Sequence, residues 1–299
     1  MMLKHRAQSP RPYWIRAVSL FKALPMDHAP LPFMKMHGLG NDFVVIDERG
    51  VRPFVTATLA ILLADRHRGV GFDQLAVISE RAGSDMHLTF WNADGSQSAA
   101  CGNATRCIAR HVMDQTGKGE LTITTDRGTL FAVDVGGKLT AVNMGQPRLN
   151  WDEIPLASAM DTLHLPITGS PTATNMGNPH CTFFVPDVEA IDLTTFGPAH
   201  EHHPLFPQRT NVQVVQVLSR THLKMRVWER GVGVTLASGS SSCAVTVAAA
   251  RLGLTDRAVR LDCEGGTLQI DWRDDGVWMT GPTMHAFTGT LTPQFLAQL

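Results

Sequence analysis

Hydrophobic and polar positions along this chain fall into short strand-like runs, broken in places by helical periods. HLTFW (87–91) is apolar and rich in β-favouring residues, and NADGSQS after it is turn chemistry. From Cys101 onward, Ala104, Cys107, Ile108, Val112 and Met113 recur at helical spacing. This strand–turn–helix unit puts Cys101, Gly102 and Asn103 at a helix N-terminus. Unpaired backbone N–H groups and the helix dipole favour an anion there. A thiol at such a place is expected to have a lowered pKa and to react as thiolate. Cys107, further along the helix, reads as core.

The same unit returns 137 positions later as KMRVWERGVGVTLASGSSSCAVTVAAA (224–250). Without a gap, that shift lays Trp91 on Trp228, Asn92 on Glu229, Cys101 on Ser238 and Gly102 on Gly239. It also lays Gly40-Asn41 on Gly177-Asn178, and Gln74 on Asn211. One offset serving separate stretches indicates an internal duplication. A twofold-related pair would bring two helix N-termini face to face around one small anionic substrate.

The remaining elements fit two copies of one plan. FVVID is a strand entered through the turn HGLGND. TATLAILLADRHRGVGFDQ gives a helix, a glycine-rich loop and Gln74, and LAVISE is a strand. LTITTDRGTLFAVDV and KLTAVNMG are short strands. Residues 146–170 read as the crossing between the halves. In the second half GNPHCTFFVPDV, FPQRTNVQVVQVL and HLKMRVWER are strands. A helix from Gly239 to about Leu252 is apolar nearly all round and must be buried. Two further strands follow in VRLDCEGGTLQIDWRDDGVWMTGP. Many short strands about a central helix make each half α+β, an α/β mixture that is not a doubly wound nucleotide sheet. No GxGxxG or GxxxxGK[ST] stands in strand-to-helix context.

Length and composition narrow the class. The 299 residues suit two domains of about 150 each. Charged residues make up 18% and the formal net charge is −1, which gives no basic surface for nucleic acid. No apolar run is long enough to span a membrane. Five cysteines, none in a CxxC pair, read as reduced thiols of a cytoplasmic enzyme rather than a disulfide framework. Thirteen histidines include no HExxH and no cluster with metal-ligand spacing. Residues 1–31 stand outside the repeat. Lys4, Arg6, Arg11, Arg16 and Lys22 precede the first acid, Asp27, as in a transit-like peptide or an extension from an upstream start. They are expected to be poorly ordered and without a catalytic role.

The motifs MHGLGNDFVVID, FDQL, NADGSQSAACGNATRC, MGNPH, FPQRTNV and WERGVGVTLASGSSSCA together resemble the diaminopimelate epimerase family, over about residues 32–299. The resemblance implies a cofactor-independent isomerase that interconverts LL- and meso-diaminopimelate in lysine and peptidoglycan synthesis. It implies two pseudo-symmetric domains, 32–145 with 284–299 and 146–283, the last strand returning to the first domain. A homodimer and a small amino-acid substrate are further implied. Asn41, Gln74, Asn92, Asn178, Asn211, Glu229 and Arg230 would bind substrate. Gly102, Asn103, Gly239 and Ser240 would offer N–H groups to its α-carboxylate, and His180 would orient the site.

Such an enzyme removes a proton from one face of Cα and adds one to the other, using a thiolate and a thiol. Here the sequence departs from the pattern, because the second helix begins with Ser238 where the family has cysteine. A hydroxyl is a far weaker acid, and a poor general base near neutral pH. Cys243, five residues on, is more than one turn away and should not fill the same spot. Ala104, Thr105 and Ser241 stand where the family pattern is glycine or alanine. Three readings follow: an epimerase weakened by Ser238, a one-base enzyme working through Cys101 alone, or a non-catalytic substrate-binding protein.

Overall fold

The computed structural model describes residues 30–299. The expectation of a poorly ordered extension over 1–31 falls almost wholly outside them. Its boundary shifts, because the first strand already includes Leu31, paired with Leu291.

The first half runs β1 (Leu31–Gly38), β2 (Asn41–Asp47), α1 (Ala57–Ala64), β3 (Gln74–Ser79), β4 (Met86–Asn92), β5 (Gln97–Ser98), α2 (Gly102–Thr116), β6 (Glu120–Thr125), β7 (Gly128–Gly136) and β8 (Leu139–Asn143). The second runs β9 (Thr172–Asn175), β10 (Pro179–Phe184), α3 (Leu193–Glu201), β11 (Asn211–Ser219), β12 (His222–Glu229), β13 (Gly233–Thr235), α4 (Gly239–Arg251), β14 (Ala258–Cys263), β15 (Gly266–Arg273) and β16 (Gly276–Gly281). Then come β17 (Met284–Leu291) and α5 (Pro293–Leu296). Helix α3 was not expected from the sequence.

Pairing repeats as faithfully as the element order. β1–β2 is antiparallel, β2–β3 parallel, β3–β4 antiparallel, β4–β6 parallel, and β6–β7–β8 antiparallel. β9–β10 is antiparallel, β10–β11 parallel, β11–β12 antiparallel, β12–β14 parallel, and β14–β15–β16 antiparallel. The last strands of the two halves, β8 and β16, pair with each other, and β17 returns to pair with β1. The duplication read from one offset is thus a duplication of topology.

Each half wraps its strands around its longer helix. α2 ends where Gly117 adopts φ +73° and its N–H donates to the Met113 carbonyl at 2.8 Å. α4 is buried from Ser241 to Ala249. Its hydroxyls avoid an unpaired burial by bonding back one turn, Ser242 Oγ to the Ser238 carbonyl and Thr246 Oγ1 to that of Ser242. One apolar cluster contains the buried sides of both helices, joined through Met144 and Met279. At this seam the two glycines pack closely against methionine side-chain ends. A Cβ on Gly102 would lie 2.7 Å from Met144 Cε, and one on Gly239 3.1 Å from Met279 Sδ. The same Gly239 Cβ position is 3.5 Å from Asn103 Oδ1, so the tips of α2 and α4 meet directly.

Candidate active site

Cys101 and Ser238 are the N-cap residues of these two helices, with φ/ψ of −142°/105° and −136°/119°. Each carbonyl accepts from the residue four positions on, through both backbone and hydroxyl. Thr105 N and Oγ1 lie 2.9 and 2.8 Å from the Cys101 carbonyl, and Ser242 N and Oγ lie 3.0 and 2.8 Å from that of Ser238. Thr105 therefore suits its place, since its hydroxyl is used within the helix. Neither the Cys101 thiol nor the Ser238 hydroxyl folds back to cap its own helix. At α4 the first-turn N–H groups are left for an incoming anion, whereas at α2 those of Asn103 and Ala104 also act on the Cys101 sulfur.

The thiol's ionisation differs from the local rule. Burial pushes the Cys101 pKa up to about 12; N–H groups of Ala104 and Asn103 pull it down, and the nearby Glu229 charge raises it further. Desolvation outweighs the helix tip, so at rest Cys101 is a thiol and not the expected low-pKa thiolate. Cys243 is fully buried, and burial pushes its pKa up to about 12 as well.

Polar groups of the first half form a directed chain. Arg106, fully buried, donates from Nη1 to Asn103 Oδ1 at 3.0 Å and from Nε to the Pro282 carbonyl at 3.3 Å. Asn103 Nδ2 donates to Asn41 Oδ1 at 3.2 Å, and Asn41 Nδ2 donates to Asp73 Oδ2 at 2.9 Å. A donor-only group at one end and a carboxylate at the other fix which way both amides point. One N–H of each amide nitrogen remains for a ligand. Gln74 Nε2 donates to Asn92 Oδ1 at 3.3 Å, and Asn92 Nδ2 to Ser96 Oγ at 3.0 Å.

The second half has its own network. Gln213 Nε2 lies 3.0 Å from His180 Nδ1 and 3.0 Å from Ser241 Oγ. An amide nitrogen only donates, so Nδ1 accepts and the ring proton sits on Nε2, 2.8 Å from Asn178 Oδ1. Burial first, then Arg127 and Arg230, lower the His180 pKa to about 3, so the ring is neutral. Ser241, unexpected beside the family pattern, is absorbed here as a partner for Gln213. Asn178 keeps its Nδ2 end without a protein partner among the described residues.

Asn211 is different, because both ends of its amide are engaged. Nδ2 donates to the Pro179 carbonyl at 2.9 Å, and Oδ1 accepts from Arg230 N at 3.0 Å. It braces the turn that carries Arg230, whose side chain makes no ion pair among the described residues. That turn is also held by Glu201, buried at 3% exposure, which accepts from Trp228 Nε1 at 2.6 Å and from Gly231 N at 2.9 Å. Glu229 closes the site. Its Oε1 accepts from Thr235 Oγ1 at 2.7 Å and its Oε2 from Ser238 Oγ at 2.9 Å. Burial raises this carboxyl above its usual range, partly offset by those two bonds.

Sequence reasoning missed Arg106, Asp73, Glu201 and Gln213. Asp73 and Arg106 lay inside FDQL and CGNATRC without being singled out, whereas Glu201 sits on the unexpected α3. Among the described residues, no three His, Cys, Asp or Glu side chains converge as metal ligands would.

Two pseudo-symmetric β-wrapped halves with opposed helix tips define the structural class. A phenazine biosynthesis protein of the PhzF family from Bacillus anthracis has this fold (TM-score 0.64, 12% identity, 88% of this chain and 99% of that one covered). So does a hydroxyproline epimerase from Agrobacterium vitis, solved with bound trans-4-hydroxy-L-proline (TM-score 0.62, 11% identity, 88% and 92% covered). The sequence profile of the family described as diaminopimelate epimerase matches residues 33–150 and 172–286. The diaminopimelate epimerase of Rhodospirillum centenum is 51% identical over 272 residues, 88% of this chain and 93% of that one. The Acidiphilium cryptum protein of the same name is 47% identical over 274 residues, 90% and 99% of the two chains. This chain belongs to the diaminopimelate epimerase family. No helix among the described residues is long and apolar enough to cross a membrane.

Proposed function

We propose that this protein interconverts LL- and meso-diaminopimelate by two-base proton transfer at Cα, with Cys101 serving one face and Ser238 the other. The carrying observation is the meeting of two helix tips whose N-cap residues share one backbone geometry. N–H groups of Gly102, Asn103, Gly239 and Ser240 take the α-carboxylate, and their aligned dipoles stabilise charge developing on Cα. Arg230 pairs with a carboxylate. Asn41, Gln74, Asn92 and Asn178 hold the amino groups and the distal end, Asn211 braces Arg230, and His180 orients Asn178. No cofactor is invoked.

The division into 32–145 with 284–299 and 146–283 is part of the proposal, and the β1–β17 pairing supports it. A cytoplasmic site is supported by the free cysteines. A homodimer is supported by β17, whose Met284 and Phe287 are half exposed.

The test is Cα exchange in deuterated water with LL- and, separately, meso-diaminopimelate, comparing the native chain with Ser238→Cys. Labelling with inversion in both, faster in Ser238→Cys, is expected. Labelling of one configuration without inversion, unchanged by Ser238→Cys, would establish a one-base enzyme instead. Silence of both proteins would leave only a binding role.

A further inference from the structure

Resting on the epimerase reading, we infer that Arg127 and Gly265 are positioning residues, each setting from one half the substrate-binding asparagine of the other. Two hairpins carry them. The β6–β7 turn is closed by the Thr125–Gly128 pair and the β14–β15 turn by Cys263–Gly266, so Arg127 and Gly265 are the second residues of equivalent two-residue turns. The asparagine turns are equivalent as well. Gly40 precedes Asn41 with φ +84°, and Gly177 precedes Asn178 with φ +98°.

Contact between the halves is reciprocal. A Cβ on Gly177 would run into the Arg127 guanidinium, with Nη1 at 2.6 Å, so that group lies on the bare Cα beside Asn178. A Cβ on Gly265 would run into the Leu39 carbonyl group, whose carbon is at 2.8 Å and leads into Gly40 and Asn41. On one side a long side chain seats on a glycine of the asparagine turn. On the other, a glycine of the hairpin makes room for that turn's backbone.

Leu39 marks the second contact as a constrained one. Its φ of +57° in the β1–β2 turn is a conformation that suits asparagine or glycine and not leucine. The hairpin itself has no use for leucine there, but the other half does. Leu39 is 7% exposed, and its Cδ2 lies 2.8 Å from the place of a Cβ on Gly266. Leu236 Cδ1 lies 2.6 Å from the place of one on Gly40, and the Gly265 N–H donates to the Leu236 carbonyl at 2.8 Å. A strained residue held by its surroundings points to a turn whose exact position matters. On the Arg127 side, the backbone N–H donates to Thr125 Oγ1 at 3.2 Å and fixes the hairpin turn. After burial, the Arg127 charge is the next cause that keeps His180 neutral, and His180 bonds Asn178 Oδ1. Arg127 therefore reaches Asn178 through Gly177 and through His180.

The experiment measures the Kd of LL-diaminopimelate by titration calorimetry, beside kcat/KM for its epimerisation, in two double-mutant cycles. One comprises Arg127→Ala, Asn178→Ala and the pair together; the other comprises Gly265→Ala, Asn41→Ala and the pair together. Arg127→Ala and Gly265→Ala should each weaken binding by about tenfold, the size expected for one misplaced hydrogen bond to a charged group. In the Asn178→Ala background Arg127→Ala should cost less than about twofold, and Gly265→Ala likewise in the Asn41→Ala background, since each acts through the asparagine it sets. Asp126→Ala, an exposed change in the same turn as Arg127, should leave Kd within about twofold. Additive losses in a cycle would make that contact a structural brace and overturn its assignment, as would a single variant that folds and binds like the native chain. Should Gly265→Ala fail to fold, the Arg127 cycle decides alone. Diaminopimelate bound without Cα exchange would remove the epimerase reading, and the Kd cycles would still decide the positioning. A native chain that does not bind diaminopimelate overturns both.

Discussion

Arg106 offers a test that separates bracing of the site from bracing of the fold. Its guanidinium is fully buried, has no carboxylate partner among the described residues, and leaves Nη2 without a hydrogen-bond acceptor. Arg106→Met roughly keeps the volume and removes the charge. Two buried acceptors, Asn103 Oδ1 and the Pro282 carbonyl, would lose their donors. Each such loss costs about 1–3 kcal/mol. Against this, a buried cation that is desolvated without a counter-charge costs several kcal/mol to keep. The two contributions nearly offset, so the unfolding free energy should change by no more than about 2 kcal/mol in either direction. Activity should not be spared. Without the donor-only end of the chain, Asn103 and then Asn41 are free to flip, and a misplaced pair of substrate contacts costs on the order of 10²-fold in kcat/KM. Urea unfolding gives the first quantity, and Cα epimerisation of LL-diaminopimelate per folded molecule gives the second. A destabilisation beyond about 4 kcal/mol with unchanged kcat/KM would refute the directed-chain argument and make Arg106 a simple structural brace.

Three other outcomes follow from the same geometry. Because burial holds Cys101 as a thiol with a pKa of about 12, its alkylation by iodoacetamide should be slow at pH 7 and rise about tenfold per pH unit up to the limit of stability; a plateau below pH 9 would show a low-pKa thiolate. His180 has a folded pKa of about 3, below its ordinary 6.5, so the unfolded chain binds the extra proton between them. The His180 contribution is fully present above pH 6.5 and is lost as pH falls towards 3, on the order of 5 kcal/mol; acid unfolding of His180→Gln should lack that portion. Gly102→Ala would drive a methyl to 2.7 Å from Met144 Cε, at a cost of about 1–3 kcal/mol measurable by thermal unfolding, whereas Gly119→Ala, with open space around it, should cost far less.

The repeat made most of this architecture legible. One offset aligned the N-caps, the asparagine pair and the ends of β4 and β12, and the topology follows it strand for strand. Helix α3 escaped because LTTFGPAHE contains Gly197 and Pro198, which argue against a helix locally. It is set from outside, with Gly197 packed against the Trp228 ring and Asp192 accepting from Thr194 N. The site divides in the same way. Residues whose role depends on local position, such as Cys101, Ser238 and Gly102, could be read from the turn-to-helix motif. Glu201 could not, since its partner Trp228 lies 27 residues along the chain, and Arg106, though only three residues from Asn103, gave no sign in the sequence that it would be buried. The Cys101 pKa shows the limit of local reasoning most clearly. The helix tip acts in the expected direction, but burial assembled from both halves outweighs it.

Because the α-carboxylate is assigned to backbone N–H groups, binding and proton transfer should be separable at position 238. A side chain at the N-cap can change without moving the N–H groups of Gly239 and Ser240, provided it does not fold back onto them. Ser238 does not, its hydroxyl being turned to Glu229. Ser238→Cys should therefore raise kcat while leaving KM for diaminopimelate within about threefold, since the interaction gained exists only while a proton is in flight. Paired kcat and KM measurements on the two proteins decide the matter. A KM that falls tenfold with an unchanged kcat would mean that residue 238 contacts the bound substrate rather than the moving proton, and the helix tips would lose their assigned role as the carboxylate site.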